Sequence, residues 1–141
     1  MAERLLLDTN AILILFAEAD GRVRPLPDVL GAAAAGTLFV SPINAWEIGQ
    51  LANLPTGQAF GFDRAPALWF DELCYRARLR QAALTANAAI LSSRLPGDFH
   101  KDPADRLLVA TAIEQGASFV TRDRRILDWA NATGAVKTLA C

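Results

Sequence analysis

The sequence predicts an α/β fold in which a mostly parallel sheet lies between two layers of helices. Short apolar runs alternate along the whole chain with longer segments that carry helix-start and helix-stop residues. Strands joined through helices need crossover connections, which put parallel strands into one sheet and cover both of its faces. With 141 residues and no repeat, linker or low-complexity tract, residues 1–141 are expected to form a single domain.

Local signals delimit each predicted element. Asp8 ends the first apolar run and is one of the residue types that cap helices. Gly36 and Gly116 are placed to end two helices, and Pro42 and Pro103 to begin two others. The predicted strands are 4–7, 37–40, 79–85, 117–121 and 136–140, with 4–7 central. The predicted helices are 8–18, 25–35, 42–54, 67–78, 86–95, 103–115 and 126–130, and 54–66 is predicted to be a turn or hairpin.

Composition excludes several classes of protein. The chain is 52% hydrophobic and 21% charged with a net charge of -1, which is too apolar for a disordered chain. Two cysteines and one histidine cannot supply a disulfide framework or a structural zinc site. The apolar stretches are shorter than the ~18 residues of a membrane span, and Asp8 interrupts the stretch where a signal peptide needs its apolar core. We therefore expect a cytoplasmic protein without membrane contact.

Most catalytic motifs are missing from the sequence. It has neither a glycine-rich phosphate loop nor a serine nucleophile elbow. His100 is the one histidine, which excludes a two-histidine acid–base mechanism, and its position before a helix predicts a loop residue. The remaining candidates for chemistry are carboxylates.

Two acids follow predicted strands and are therefore expected at the same edge of the sheet. Asp8 comes directly after strand 4–7, and Asp123 comes two residues after strand 117–121. Ligands of open parallel sheets bind at the carboxyl ends of strands. Each acid also suits an ordinary structural role, Asp8 as a helix cap and Asp123 as a turn residue, so neither assigns a site by itself.

Two further acids lie on predicted helices in apolar surroundings. At 100° per residue, Glu47 falls about 40° from Ile43 and inside the apolar arc of its helix. A carboxylate buried there needs a cation, either a functional partner or an arginine under the helix. Asp105 is the third residue of helix 103–115, close to its positive end, and a capping pair with Asp102 is the alternative interpretation.

Convergence of these acids in one cleft predicts a divalent cation. Three or four carboxylates in a poorly hydrated cleft repel one another, and the apolar segments hold no cluster of lysines or arginines to neutralise them. Oxygen ligands alone favour Mg²⁺ or Mn²⁺ over zinc or copper. Without those four acids, 11 acidic residues remain against 14 basic ones, a surplus of +3 that suits a polyanionic substrate.

Four motifs follow one another along nearly the whole chain. They are Leu6-Leu7-Asp8-Thr9-Asn10, Ala45-Trp46-Glu47-Ile48, Asp102-Pro103-Ala104-Asp105-Arg106 and Phe119-Val120-Thr121-Arg122-Asp123. This pattern resembles that of the PIN-domain ribonucleases, and among them toxins of the VapC type. Four spaced motifs in the right order are far more specific than any one of them.

The resemblance implies a fold, an activity and partners. It implies a PIN-like fold and an endoribonuclease that depends on Mg²⁺ or Mn²⁺. It also implies a toxin that cleaves RNA, forms a homodimer and is neutralised by a cognate VapB-type antitoxin. The catalytic and metal-binding residues that it implies are Asp8, Glu47, Asp105 and Asp123, with Asn10 and Thr121 as polar supports.

Three arginines border the last of these acids. Arg122, Arg124 and Arg125 flank Asp123 in the sequence and are predicted to contact RNA phosphates. A solvated helix face explains a second group, Arg76, Arg78 and Arg80, equally well. RNA contact is therefore predicted only for the three arginines beside Asp123.

Two other functions also stay open on the sequence alone. A receiver-like Mg²⁺-binding signalling domain gathers acids at strand ends, but it needs paired acids after its first strand, and here Thr9 follows Asp8. A catalytically idle PIN-like binding module has no need of the acids, and all four are present. Cation-dependent cleavage of RNA distinguishes a nuclease from both.

Overall fold

The computed structural model describes residues 3–17, 26–55, 62 and 64–141. Its strands are β1 (Leu5–Leu7), β2 (Leu38–Val40), β3 (Arg80–Gln81), β4 (Ser118–Thr121) and β5 (Thr138–Ala140). They form one parallel sheet in the order β3-β2-β1-β4-β5, so β1 is central as predicted. Leu6 of β1 lies opposite Phe39 of β2 and Phe119 of β4.

Helices connect the strands and cover the sheet. The α-helices are α1 (Thr9–Ile12), α2 (Pro27–Ala35), α3 (Pro42–Ala52), α4 (Pro66–Ala77), α5 (Ala86–Ser92), α6 (Pro103–Gln115) and α7 (Arg124–Thr133). Helix α1 continues directly into a π-helical segment, Leu13–Ala17. None of the helices in the described parts of the chain is long and apolar enough to cross a membrane.

The three leucines of β1 show why the sheet is covered on both faces. Successive side chains of a strand point to opposite faces. Leu5 and Leu7 accordingly pack into one core cluster with Ile12 of α1, whereas Leu6 packs into a second cluster with Leu108 of α6. All three leucines are at most 1% exposed. The sheet is therefore the middle of three layers, as the sequence predicts.

Helix caps gather at the carboxyl edge of the sheet. Asp8 follows β1 and caps α1, Ser41 follows β2 and caps α3, and Asp123 follows β4 and caps α7. In each case the side chain accepts a hydrogen bond from a backbone N–H of the first turn, which satisfies a donor that the helix itself leaves unpaired. Two of the four predicted site acids are thus also helix caps.

Several predicted boundaries are wrong. Helix α7 runs over Arg124–Thr133 instead of the predicted 126–130, because its cap lies at Asp123 and Trp129 is buried in the core. Strand β3 has two residues instead of 79–85, and both are exposed at the edge of the sheet. The predicted turn or hairpin at 54–66 lies largely outside the described residues, which omit 56–61 and 63.

Candidate active site

A cleft of about 600 Å³ opens at the carboxyl edge of the sheet, between α1, α3 and the start of α6. Three of the four predicted acids, Asp8, Glu47 and Asp105, line it. The other described residues that line the cleft are Thr9, Asn10, Leu13, Trp46, Gln50, Leu51, Leu54, Asp102, Pro103 and Ala104. Acids from three separate segments therefore share one cavity.

Asp8 is the most buried of these acids, with 4% of its surface exposed. Its Oδ1 accepts a hydrogen bond from the backbone N–H of Thr9 at 2.8 Å, and its Oδ2 accepts one from the hydroxyl of Thr121 at 2.7 Å. Burial raises the pKa of Asp8 to about 7, and repulsion from Asp105 and Glu47 adds to the rise while the Thr121 hydrogen bond opposes it. The hydrogen bonds therefore hold the Asp8 carboxyl rigidly in an environment that disfavours its ionised form.

Glu47 is held across the cleft by a chain of polar side chains. The Thr9 hydroxyl donates to Glu47 Oε1 at 2.7 Å and accepts from Asn44 Nδ2 at 3.0 Å. Burial raises the pKa of Glu47, the Thr9 hydrogen bond opposes the rise, and Asp105 adds to it. No arginine or lysine of the described residues pairs with Glu47. Within the described parts of the chain, the alternative of an arginine salt bridge under the helix is therefore not found.

The apolar arc that contains Glu47 lies partly on the core, through Ile43 and Ile48, and partly on the cleft. The core side of α3 carries Asn44 and Ile48, both at most 1% exposed. Leu51 and Leu54 line the cleft beside Glu47, and Leu54 is 40% exposed. The leucines of the arc beside Glu47 therefore form a cavity wall.

Asp105 lies where the sequence predicts, in the first turn of α6. Asp102 caps the helix by accepting from the backbone N–H groups of Ala104 at 2.9 Å and Asp105 at 3.2 Å. The Asp105 carboxylate is free of that cap, and its Oδ2 lies 2.6 Å from Nε2 of His100. Burial raises the pKa of Asp105, the His100 hydrogen bond opposes the rise, and Asp102 adds to it.

Asp123 lies beside Asp105 in a different electrostatic setting. Arg125 donates to both of its carboxylate oxygens, from Nη2 to Oδ2 at 2.9 Å and from Nε to Oδ1 at 3.3 Å. This pairing lowers the pKa of Asp123. Possible ligand atoms of His100, Asp105 and Asp123 all lie within 4.8 Å of one another. Asp105 therefore belongs both to the cleft and to this second group.

The two predicted supports connect the acids. The Thr121 hydroxyl donates to Asp8 and accepts from the backbone N–H of Asp123 at 3.0 Å. Asn10 lines the cleft, and its Oδ1 accepts from the backbone N–H of Arg122 at 3.4 Å. The Thr121 bonds tie the end of β1 to the start of α7.

The donor set of the cleft fits a divalent cation. Its described lining includes four carboxylates but no lysine or arginine. Burial and mutual repulsion raise the pKa values of Asp8, Glu47 and Asp105. Carboxylate oxygens are the ligands that Mg²⁺ and Mn²⁺ prefer, and a cation among them relieves that repulsion.

A comparison with known families distinguishes the PIN-like alternatives from the receiver-like one. The model of the PIN domain matches residues 5–131, a range that contains all four acids. The chain belongs to the PIN domain family. This membership favours the nuclease hypothesis over a receiver-like signalling domain.

This PIN domain is similar to a curated protein and to solved structures. Ribonuclease VapC22 of Mycobacterium tuberculosis is 38% identical over 93 residues, which are 65% of this chain and 67% of that protein. Two solved structures share the fold at low identity. VapBC2 from Rickettsia felis, bound to a DNA fragment from their promoter, has a TM-score of 0.62 and 14% identity and covers 96% of this chain and 97% of its own. FitAcB from Neisseria gonorrhoeae has a TM-score of 0.53 and 20% identity and covers 96% of each chain.

Sequence reasoning missed four residues at the site of this PIN domain. Thr9 and Asn44 orient Glu47, His100 contacts Asp105, and Trp46 lines the cleft while 56% exposed. Asn44 had a local signal, since it is the third residue after the cap Ser41 and completes a capping box. Trp46 stands next to Glu47, but nothing in the sequence distinguishes it from a core aromatic.

Proposed function

We propose that this PIN domain is a cytoplasmic endoribonuclease of the VapC type that depends on Mg²⁺ or Mn²⁺. The observation that carries the proposal is the cleft in which Asp8, Glu47 and Asp105 converge and whose described lining holds no lysine or arginine. The relative from Mycobacterium tuberculosis is named a ribonuclease, which supports RNA as the substrate. In this proposal residues 1–141 form one nuclease domain.

The acids have different roles in the proposed reaction. Asp8 and Asp105 hold the divalent cation, because they lie at the end of a strand and in the first turn of a helix, where the backbone is rigid. Glu47 and Asp123 complete the acidic site. When bound, the cation neutralises the phosphodiester and activates water for hydrolysis.

Glu47 is the better candidate to accept the proton of the attacking water. A general base works best when its pKa lies close to the working pH. Burial raises the pKa of Glu47, whereas the Arg125 pair lowers the pKa of Asp123. The resemblance to the PIN-domain ribonucleases implies that attack by water breaks the P–O3′ bond and leaves a 5′-phosphate and a 3′-hydroxyl. A 2′,3′-cyclic phosphate would instead identify the RNA 2′-hydroxyl as the nucleophile.

Arginines near the site divide into two groups in this proposal. Arg122 and Arg124 are exposed and contact RNA phosphates. Arg125 pairs with Asp123, so its first role is to neutralise that acid. The RNA-binding role predicted from the sequence for all three is kept for Arg122 and Arg124.

Replacing Trp46 by alanine is expected to weaken RNA binding about 5- to 150-fold, since a base stacked on an aromatic ring contributes about 1–3 kcal/mol. The exposed indole of Trp46 lines the same cleft as the acids. The cavity therefore suits a ligand that has a flat base for the indole and a phosphate for the cation proposed at the acids. The measurement is KM and kcat on a short RNA, with KM rising and kcat little changed. Tyr75→Ala is the matched control, because Tyr75 is 88% exposed on α4 and does not line the cleft. An unchanged KM for Trp46→Ala would contradict the base contact.

A partner protein is part of the proposal. The similar structures are named VapBC2, which is bound to a DNA fragment from their promoter, and FitAcB. We infer a cognate VapB-type antitoxin that neutralises this chain, and a homodimer of the chain itself. In this setting the protein is the toxin of a toxin–antitoxin pair.

The proposal is tested by sequencing RNA ends after brief expression of the protein in cells. Discrete new ends are expected, and the purified protein should cut the same RNA in Mn²⁺ and lose the activity in excess EDTA. Cutting that persists undiminished in EDTA would contradict the cation-dependent mechanism. Absence of cutting in Mg²⁺ and Mn²⁺, with RNA still bound, would indicate a catalytically idle binding module.

A further inference from the structure

His100 lies directly against one of the proposed metal-binding acids. It is the one histidine of the chain, and its Nε2 lies 2.6 Å from Asp105 Oδ2. We propose that His100 is a positioning residue that fixes the Asp105 carboxylate for binding of the divalent cation. The inference rests on the proposed function, in which Asp105 holds that cation.

The imidazole ring is held in place by aromatic packing. It stacks on Phe99 with ring centroids 4.5 Å apart and planes 21° from parallel. Phe99 is itself buried and meets Trp129 of α7 edge to face at 4.8 Å. The histidine therefore has a rigid support below its ring, which fixes the direction of Nε2.

The backbone of the same segment is held by Arg106. Its guanidinium donates to the carbonyl oxygens of Phe99 at 2.7 Å and of His100 at 2.9 Å, and also to that of Ser92 at 3.1 Å. Arg106 follows Asp105 directly in α6. The helix that carries the acid thus also anchors the loop that carries the histidine, so the two side chains are fixed relative to each other.

The contact leaves the other carboxylate oxygen available. With the proton on Nε2, His100 donates to Oδ2, a tautomer assigned here from the geometry. No described residue hydrogen-bonds Oδ1 of Asp105. In such a carboxylate one oxygen is fixed by a hydrogen bond and the other can bind a cation. It loses less conformational entropy on binding the cation than a carboxylate that rotates freely. Hydrogen bonds of this kind typically change metal affinity about 10- to 100-fold.

The test compares His100→Asn with His100→Gln by measuring Mn²⁺ affinity through the EPR signal of free Mn²⁺. The glutamine amide nitrogen reaches the place of Nε2, whereas the shorter asparagine reaches only that of Nδ1. We expect His100→Asn to bind Mn²⁺ about 10-fold more weakly and His100→Gln to stay within about threefold of the wild type. Thermal unfolding of both variants checks that the fold is retained. Wild-type affinity in His100→Asn, or equal weakening in both variants, would overturn the proposal.

Two further measurements distinguish the failure of this proposal from other failures. Asp105→Asn should lose Mn²⁺ binding, and if it does not, the proposed function itself is wrong at Asp105. If Asp105→Asn loses binding and His100→Asn does not, only the positioning role fails. His100→Asn should weaken Mg²⁺ and Co²⁺ binding by similar factors. A loss confined to Co²⁺ would make the imidazole a direct ligand and overturn the positioning role, because nitrogen donors favour Co²⁺ over Mg²⁺.

Discussion

Replacing Asp8 by asparagine is expected to lower cation-dependent RNA cleavage at least about a hundredfold, because a bound cation contributes several kcal/mol to stabilising the transition state. The fold should survive. The asparagine oxygen can still accept from the Thr9 N–H, and its amide can donate to the Thr121 hydroxyl in place of accepting from it. The measurement is kcat/KM on RNA in Mn²⁺, together with circular dichroism of the variant.

Asp28→Asn is the matched control for this variant. It removes the same charge from an exposed position in the first turn of α2, outside the cleft. Its activity should equal that of the wild type, and its expression should remain as toxic to cells. Normal cleavage by Asp8→Asn would disprove the role of Asp8 in holding the cation.

The metal-free protein is expected to become less stable as the pH rises from about 4 to about 7. Burial raises the pKa of Asp8 from its ordinary value of 3.8 to about 7, so in this interval the folded protein binds more protons than the unfolded chain. Stability then falls with pH, by at most about 4 kcal/mol for this one group, and the loss is complete above the folded-state pKa. The measurement is the free energy of unfolding by urea in EDTA at several pH values.

Asp8→Asn provides the reference for this pH dependence. Because it lacks the titrating group, it should lose less stability over the same interval and should exceed the wild type in stability at pH 8 in EDTA. Added Mn²⁺ should stabilise the wild type more than the variant, since a ligand that binds only the folded state raises its stability. Equal pH profiles for the two proteins would show that Asp8 does not carry a buried charge.

Local signals made much of the site predictable. Asp102 and Pro103 define the start of α6, and that start places Asp105 in the first turn. Asp8 follows an uninterrupted run of leucines, and the end of such a strand lies at the ligand-binding edge of a parallel sheet. These positions depend on residues that are neighbours in the chain. Pattern reasoning can therefore locate them.

The environment of each acid was not predictable in the same way. Arg125 was predicted to contact RNA, yet it binds both oxygens of Asp123. Glu47 lies in an apolar arc in sequence, yet the leucines of that arc line a cleft. His100 was predicted to be a loop residue, and only the packing of Phe99 and the bonds from Arg106 direct it to Asp105. A helical wheel gives the side of a helix but not what packs against that side.

The sequence by itself determined the alternation of strands and helices and the central place of β1, and it marked the four candidate acids, because hydrophobic period and helix caps act over a few residues. The tertiary structure alone decided which groups face one another. Thr121 bonds to Asp8 across 113 positions, and Thr9 bonds to Glu47 across 38. The raised pKa values follow from that assembly, since desolvation and repulsion between carboxylates exist only once distant segments close the cleft around them.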